Sequence, residues 1–371
     1  MEFIDLKSQQ KKIRKNLEKR LFKILDHGRY IMGPEVFELE EKLSNYVSVK
    51  HCISCSSGTD ALLIPLMAKN IGSGDAVLTT PFTYFATAEV IALTGATPIF
   101  IDIYKKTYNI DPDGIDKGVS IALKKGLNPK AIIPVNLFGL PARYRLIQEK
   151  AKKHNLTIIE DAAQSFGGKI GNKLSCSFGD VSSTSFFPAK PLGGYGDGGA
   201  IFTNNDDLAT IMRSIRSHGS GIDKYENLRI GMNARLDTIQ AAIILEKFSI
   251  FKNEIKLRNK IAQKYIKNIT GNVIKPFTPQ NYLSSWAQFS ILAENNKLRT
   301  LKIEMLKKEK IPTMIYYKTP LHLQPAFKGL GYSFGDLPIS ESVSNKIFSI
   351  PMHPYLDPID QDKIIDTLNN E

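Results

Sequence analysis

The stretch Ser185-Phe186-Phe187-Pro188-Ala189-Lys190-Pro191-Leu192-Gly193-Gly194-Tyr195-Gly196-Asp197-Gly198-Gly199-Ala200 sets one lysine between an apolar strand and a glycine-rich turn. Residues 181–187 read as the strand before the lysine, and residues 200–203 as the strand after the turn. Little other polar side-chain character surrounds Lys190, so a solvated surface lysine fits this context badly. Desolvation lowers the pKa of a lysine and frees its neutral amine for Schiff-base chemistry. The five glycines from Gly193 to Gly199 let the backbone pack tightly around a ligand.

Working outward, five more β-rich runs precede this pair, at 51–55, 76–80, 98–103, 131–135 and 156–160. Most are separated by enough chain for a crossover helix. The pattern predicts an α/β fold with a mostly parallel seven-stranded sheet covered on both faces. Ligands of such sheets sit beyond the carboxyl ends of the strands. Near the start, Ile13, Leu17, Leu21 and Ile24 recur at helical spacing with Gly28 as a stop, and a second amphipathic helix follows Gly33-Pro34. After about Asn233 the pattern changes. A long helix at 236–268 leads to a strand at 287–292, a charged helix around 299–308 and a terminal helix after Pro358. We divide the chain into a large domain, residues 1–250, and a small C-terminal α/β domain, residues 251–371.

Composition bounds the function. Of the 371 residues, 42% are hydrophobic and 23% charged, which suits a folded globular chain and argues against disorder. No apolar run reaches the ~20 residues of a membrane span. The basic first 23 residues lack the apolar core and cleavage site of a signal peptide, so a cytoplasmic location is the default expectation. The net charge of +12 is spread along the whole chain with no recognition motif, so no nucleic-acid partner is expected. A polyanionic small substrate would benefit from such a field. Cys52 and Cys55 form a C-x-x-C pair, but it lies in a strand-like run and no second pair completes a metal site. They read as core cysteines, with no metal centre.

Two further segments fall where strands end. Ser56-Ser57-Gly58-Thr59-Asp60-Ala61-Leu62 follows one strand and opens a helix. Its amides and hydroxyls suit an anion, although a plain N-cap explains the segment as well. Glu160-Asp161-Ala162-Ala163-Gln164 sets Asp161 at the carboxyl end of a buried strand. A carboxylate there is costly without a partner. A protonated cofactor nitrogen would serve, and so would the cap of a following helix.

In this arrangement the chain resembles the DegT-type nucleotide-sugar aminotransferases, within fold type I of the pyridoxal-phosphate enzymes. The resemblance extends over nearly the whole chain. Besides the segments above it rests on Gly28-Arg29-Tyr30-Ile31-Met32-Gly33-Pro34-Glu35, Pro81-Phe82-Thr83-Tyr84-Phe85-Ala86-Thr87 and Asn233-Ala234-Arg235-Leu236. Pro320-Leu321-His322-Leu323-Gln324 and the stretch from Leu337-Pro338 to Pro351-Met352-His353-Pro354 complete it. It implies an aspartate-aminotransferase-like large domain and pyridoxal 5'-phosphate held covalently on Lys190. Lys190 also moves a proton between substrate and cofactor, and Asp161 pairs with the pyridine nitrogen. Gln164 bonds the ring hydroxyl, Tyr84 stacks on the ring, and small Ala163 leaves room on its other face. Gly58, Thr59 and Ser185 bind the phosphate. Asn233 reaches the same phosphate from a neighbouring subunit, which implies a homodimer with shared sites. Arg235 is a bidentate carboxylate clamp by chemistry. His218 and the pair Tyr316-Tyr317 are further substrate-side candidates. Many relatives have His-Tyr where this chain has Tyr316-Tyr317.

The implied reaction has two halves. L-glutamate converts the cofactor to pyridoxamine phosphate, and a keto nucleotide sugar then takes the nitrogen. Related sugar dehydratases have histidine at the position of Lys190, so lysine points to transamination. The texture around Lys190 and Tyr84 is closest to enzymes acting on UDP-2-acetamido-2-deoxy-3-keto-glucuronate, whose product would feed bacterial surface-polysaccharide synthesis such as lipopolysaccharide O-antigen. The alternatives are 4-amination of a 4-keto-6-deoxy UDP- or dTDP-sugar and a non-catalytic, cofactor-binding regulator.

Overall fold

The computed structural model describes every residue of the chain except Lys224 and Glu371. Its frame is a seven-stranded sheet. The strands are β1 (His51–Cys55), β2 (Asp75–Thr79), β3 (Thr97–Phe100), β4 (Asn128–Ile133), β5 (Thr157–Asp161), β6 (Val181–Ser185) and β7 (Gly199–Thr203). They lie in the order β1-β7-β6-β5-β4-β2-β3. The pairs from β6 through β3 are parallel, and β7 runs antiparallel to both of its neighbours. All seven expected runs are present, several of them ending two or three residues early.

The helices follow from spacing and caps. Helix α1 (Leu6–His27) buries Ile13, Leu17 and Ile24. The Asp5 side chain accepts from the Ser8 amide at its start, and Gly28 closes it with φ 66°, a value that favours glycine. Helix α2 (Pro34–Val47) carries proline in its first turn, where the missing amide has no helical partner to lose. Helices α3 (Gly58–Ala68), α4 (Ala86–Leu93), α5 (Ile115–Lys124), α6 (Tyr144–His154) and α7 (Asp206–Arg216) connect or flank the strands. Cys52 and Cys55 are buried on β1 and join different core clusters.

Helix α8 (Thr238–Asn268) has 31 residues and so spans about 46 Å at ~1.5 Å per residue. Ile244, Leu245, Phe251 and Ile255 pack into the core under the sheet. Ile261, Ala262 and Tyr265 pack into a second core. That second core is built on a small antiparallel sheet of β8 (Val273–Ile274), β9 (Phe289–Ala293) and β10 (Ile347–Ile350). Helices α9 (Asn296–Lys308), α10 (Pro338–Ser344) and α11 (Pro358–Asn369) accompany it. Strand β10 and helix α10 have no counterpart in the sequence expectation. Among the described residues no helix is long and apolar enough to cross a membrane.

Candidate active site

Sheet register brings the chemical residues together. Cys55 pairs with Gly199, and Gly199 pairs with Ser185. The ends of β1 and β6 therefore flank the same point of β7. On the other side of β6, Asp161 pairs with Ser183. The carboxyl ends of β5 and β6 and the start of α3 thus converge, and a cavity of about 380 Å³ opens there.

One end of the cavity is suited to an anion. Ser57, Gly58 and Thr59, at the start of α3, line it together with Ser185. The Ser57 hydroxyl accepts from the Asp60 amide and caps the helix. A Cβ on Gly58 would come 2.6 Å from Ser185 Cβ, and one on Gly199 would come 2.3 Å from the Ser57 carbonyl oxygen. Glycine at these two positions lets strand, turn and helix close to contact distance. The capping explanation and the anion explanation of this segment coexist, because only the Ser57 side chain is taken by the cap.

The other end holds two opposed titratable groups. Asp161 is buried, and its carboxylate accepts from Thr87 Oγ1 at 2.9 Å and from the Ala163 amide at 3.1 Å. Burial pushes its pKa up, against the pull of those two hydrogen bonds and of the Lys190 charge. No helix follows Asp161, only a turn, so the helix-cap alternative drops out. Lys190 lines the same cavity and is only half-buried as a residue, while its amine is enclosed by protein. That desolvation lowers its pKa, and the nearby Asp161 charge opposes the shift.

Gln164 is buried between two partners. Its Oε1 accepts from the Phe138 amide at 2.7 Å, and its Nε2 donates to the Tyr317 hydroxyl at 2.9 Å. One amide hydrogen of Nε2 is left over. Burial pushes the Tyr317 hydroxyl up, so it stays protonated at neutral pH. Tyr84 is 61% exposed and lines the mouth, with Ala163 and Tyr316 also on the wall.

His218, Asn233 and Arg235 do not line this cavity. His218 and Asn233 are exposed, and residues 217 and 233 form a β-bridge at the base of the loop between them. Arg235 donates to the Asn233 side-chain oxygen from Nε at 3.1 Å and from Nη2 at 2.7 Å. The loop turns apolar side chains outward: Ile222, Leu228 and Ile230 are more than half exposed.

The wall also contains residues the sequence reading passed over. Thr87 bonds Asp161 and lay inside a quoted motif. Ile4 and Gln288 line the cavity from far along the chain. Nothing local marks them, because only the tertiary fold brings the first residues and the residue before β9 to this place.

The donor set fits pyridoxal phosphate: an anion cradle at one end, a carboxylate that needs a cation at the other, and a desolvated amine between walls. Over residues 11–369 the chain matches the DegT/DnrJ/EryC1/StrS aminotransferase family. It is 46% identical over 358 residues, 96% of each chain, to a UDP-2-acetamido-2-deoxy-3-oxo-D-glucuronate aminotransferase from Pseudomonas aeruginosa. It is 40% identical over 370 residues, 98% of this chain and 96% of the relative, to a pleiotropic regulatory protein from Geobacillus stearothermophilus. A solved DegT DnrJ EryC1 StrS aminotransferase from Brucella abortus superposes with a TM-score of 0.96 at 50% identity, covering 99% of this chain and 98% of the other. The chain belongs to the DegT/DnrJ/EryC1/StrS aminotransferase family, with its fold type I architecture, and is a pyridoxal-phosphate-dependent sugar aminotransferase.

Proposed function

We propose that this enzyme transfers the amino group of L-glutamate to the 3-keto group of UDP-2-acetamido-2-deoxy-3-keto-glucuronate, for surface-polysaccharide synthesis such as that of lipopolysaccharide O-antigen, in the cytoplasm. The observation that carries the chemistry is the enclosed Lys190 amine and the buried Asp161 carboxylate lining one cavity, with their pKa values displaced toward each other. The observation that carries the substrate is the 46% identity, over nearly full length, to a relative named for that keto sugar.

The residues take these roles. Lys190 binds the cofactor through its amine, which desolvation keeps closer to the neutral, nucleophilic form. Bound there, pyridoxal phosphate supplies a carbonyl that exchanges with amines and a ring that takes up the electron pair released at carbon. Asp161 holds a proton on the ring nitrogen and in return gains the cation its burial lacks. Thr87 and the Ala163 amide fix the carboxylate orientation for that contact. Gly58, Thr59 and Ser185 bind phosphate, Gln164 donates its spare amide hydrogen to the ring hydroxyl, and Tyr84 and Ala163 bracket the ring. With the cofactor bound, the Lys190 amine would also be placed to carry a proton between a substrate carbon and the cofactor.

Tyr316 and Tyr317 line the substrate side. Tyr316 offers a hydroxyl, so it contributes a neutral hydrogen bond. His218, Asn233 and Arg235 act in the cavity of a partner subunit. The outward apolar residues of their loop suit burial against a second copy, and the guanidinium of Arg235 suits a carboxylate. We place the domain boundary near residue 250, close to where α8 passes from one core to the other.

The test is a two-step assay. Cofactor-loaded protein should bleach with L-glutamate and release 2-oxoglutarate. The bleached form should then recover its colour with the 3-keto uronate faster than with a 4-keto-6-deoxy UDP-sugar. A charge-assisted pair formed with one substrate only is worth about 1.5–3 kcal/mol, or roughly tenfold to a hundredfold in specificity. Faster recovery with the 4-keto sugar would reject the uronate, and no bleaching at all would favour a regulatory protein.

A further inference from the structure

Outside the cavity lining, in contact with the glycine-rich turn, lies a buried lysine that the reaction does not use. Lys247 is 1% exposed, in the first third of α8. Its ammonium donates to the Gly194 carbonyl at 3.3 Å and sits 4.3 Å from the centre of the Tyr195 ring. Gln240, seven residues earlier on the same face of the helix, accepts from the Tyr195 amide at 2.9 Å. Glu254, seven residues later, favours the charged form, while burial dominates and lowers the Lys247 pKa to about 8.

The arrangement has a physical motive. A buried ammonium costs stability, and a methionine of similar length would fill the same volume without that cost. The turn, however, has no side chains at Gly193, Gly194 and Gly196 with which to fix itself. Its base is closed by backbone bonds, Lys190 N–H to the Phe187 carbonyl at 2.9 Å and Gly194 N–H to the Phe186 carbonyl at 2.7 Å. Leu192 is buried in the core below and anchors the turn there. The Gly194 carbonyl and the Tyr195 amide at the apex are held from α8, by Lys247 and Gln240. Side-chain atoms of Gln240 lie where a Cβ on Gly194 or Gly196 would have to go.

We propose that Lys247 is a positioning residue for Lys190: its ammonium grips the Gly194 carbonyl and the Tyr195 ring, and so fixes the backbone that aims the cofactor-bearing amine at Asp161. The inference rests on Lys190 carrying the cofactor. Without the grip the turn shifts, and a displacement of the order of 1 Å at a reacting group costs up to about a hundredfold.

The experiment compares wild type and Lys247→Met as pyridoxal-phosphate holoproteins. Two quantities are read: retention of pyridoxal phosphate on dialysis, and the pH midpoint of the absorbance change of the bound cofactor. Melting of both apoproteins is the control. We expect Lys247→Met to melt no lower than wild type, to lose cofactor roughly tenfold faster, and to move the absorbance midpoint. A lower melting temperature with an unmoved midpoint and unchanged retention would assign Lys247 to structure alone and overturn the proposal. Should Lys247→Met not fold, Tyr195→Leu removes the ring contact at a half-exposed site and should move the midpoint in a smaller step. An unmoved midpoint there overturns the proposal equally. Borohydride reduction and peptide mapping of wild type separate the two readings: label away from Lys190 rejects the Lys190 assignment itself, while label on Lys190 with unchanged variant spectra rejects only the role of Lys247.

Discussion

The cavity floor and the loop at 217–235 are made by opposite means. The floor is fixed by sheet register: Asp161 and Ser185 end neighbouring strands and are buried, and Asp161, Gln164 and Ser185 are each tied by hydrogen bonds. The loop carries its polar candidates at the surface, with Arg235 bonded to Asn233 and apolar side chains facing outward. The floor is preorganised within one chain. The loop leaves Ile222, Leu228 and Ile230 exposed. On the proposed division of labour, the floor holds the cofactor ring and the reacting amine, and the loop brings Asn233 to the phosphate and Arg235 to the substrate of a partner subunit.

The largest effect that sharpens this contrast is Lys190→Ala. Turnover should fall by at least ~10³-fold, since both the covalent link and the proton carrier are lost, while circular dichroism stays that of wild type. Retained turnover would remove Lys190 from the account. Next is Asp161→Asn, which should cost activity by ~10²-fold or more and yet raise the melting temperature of the apoprotein. The sign follows from the raised pKa. In the folded state the carboxyl resists ionising, so its contribution to stability is present below the unfolded carboxylate pKa and is lost as pH rises through the folded value. Asparagine has no such loss. An apoprotein that melts lower would mean that the carboxylate supports the fold instead.

On the loop side, Arg235→Ala should weaken kcat/KM by roughly tenfold to a hundredfold and leave the cofactor spectrum unchanged. A changed spectrum would place Arg235 with the floor and break the comparison. The smallest effect is in pH. Because the Lys190 pKa is lowered, its neutral amine appears at lower pH than in an ordinary lysine. The rate of pyridoxal-phosphate attachment to apoprotein should therefore level off below the usual lysine range near pH ~10.4. A rate still climbing at that pH would contradict the desolvated amine.

How far the sequence reached follows the same contrast. The floor was legible because its groups lie within three residues of an apolar run: Asp161 two after Ile159, and Lys190 three after Phe187. Strand β7 was found but not its reversed direction, since a five-residue run looks alike in either sense. Strand β10 (Ile347–Ile350) was missed because Ile347-Phe348-Ser349-Ile350 is a short run of four, buried at every position, without the alternation that marks a half-buried strand. Ile4, Gln288 and the Lys247 grip were illegible for a different reason. Their meaning lies in contacts across the fold, and α8 hides Lys247 among ordinary surface-type lysines such as Lys252 and Lys256. The loop residues were legible only through family resemblance, since a surface arginine beside an asparagine signals nothing by itself.

The most direct test of the central claim is to mix Lys190→Ala with Arg235→Ala under conditions of demonstrated subunit exchange. If the floor of one subunit works with the loop of another, half of randomly assorted dimers are hybrids, and each hybrid has one site free of both lesions. Activity should then rise to roughly a quarter of wild type. A mixture that stays at the level of its two parents, with exchange proven, would contradict a site shared between subunits.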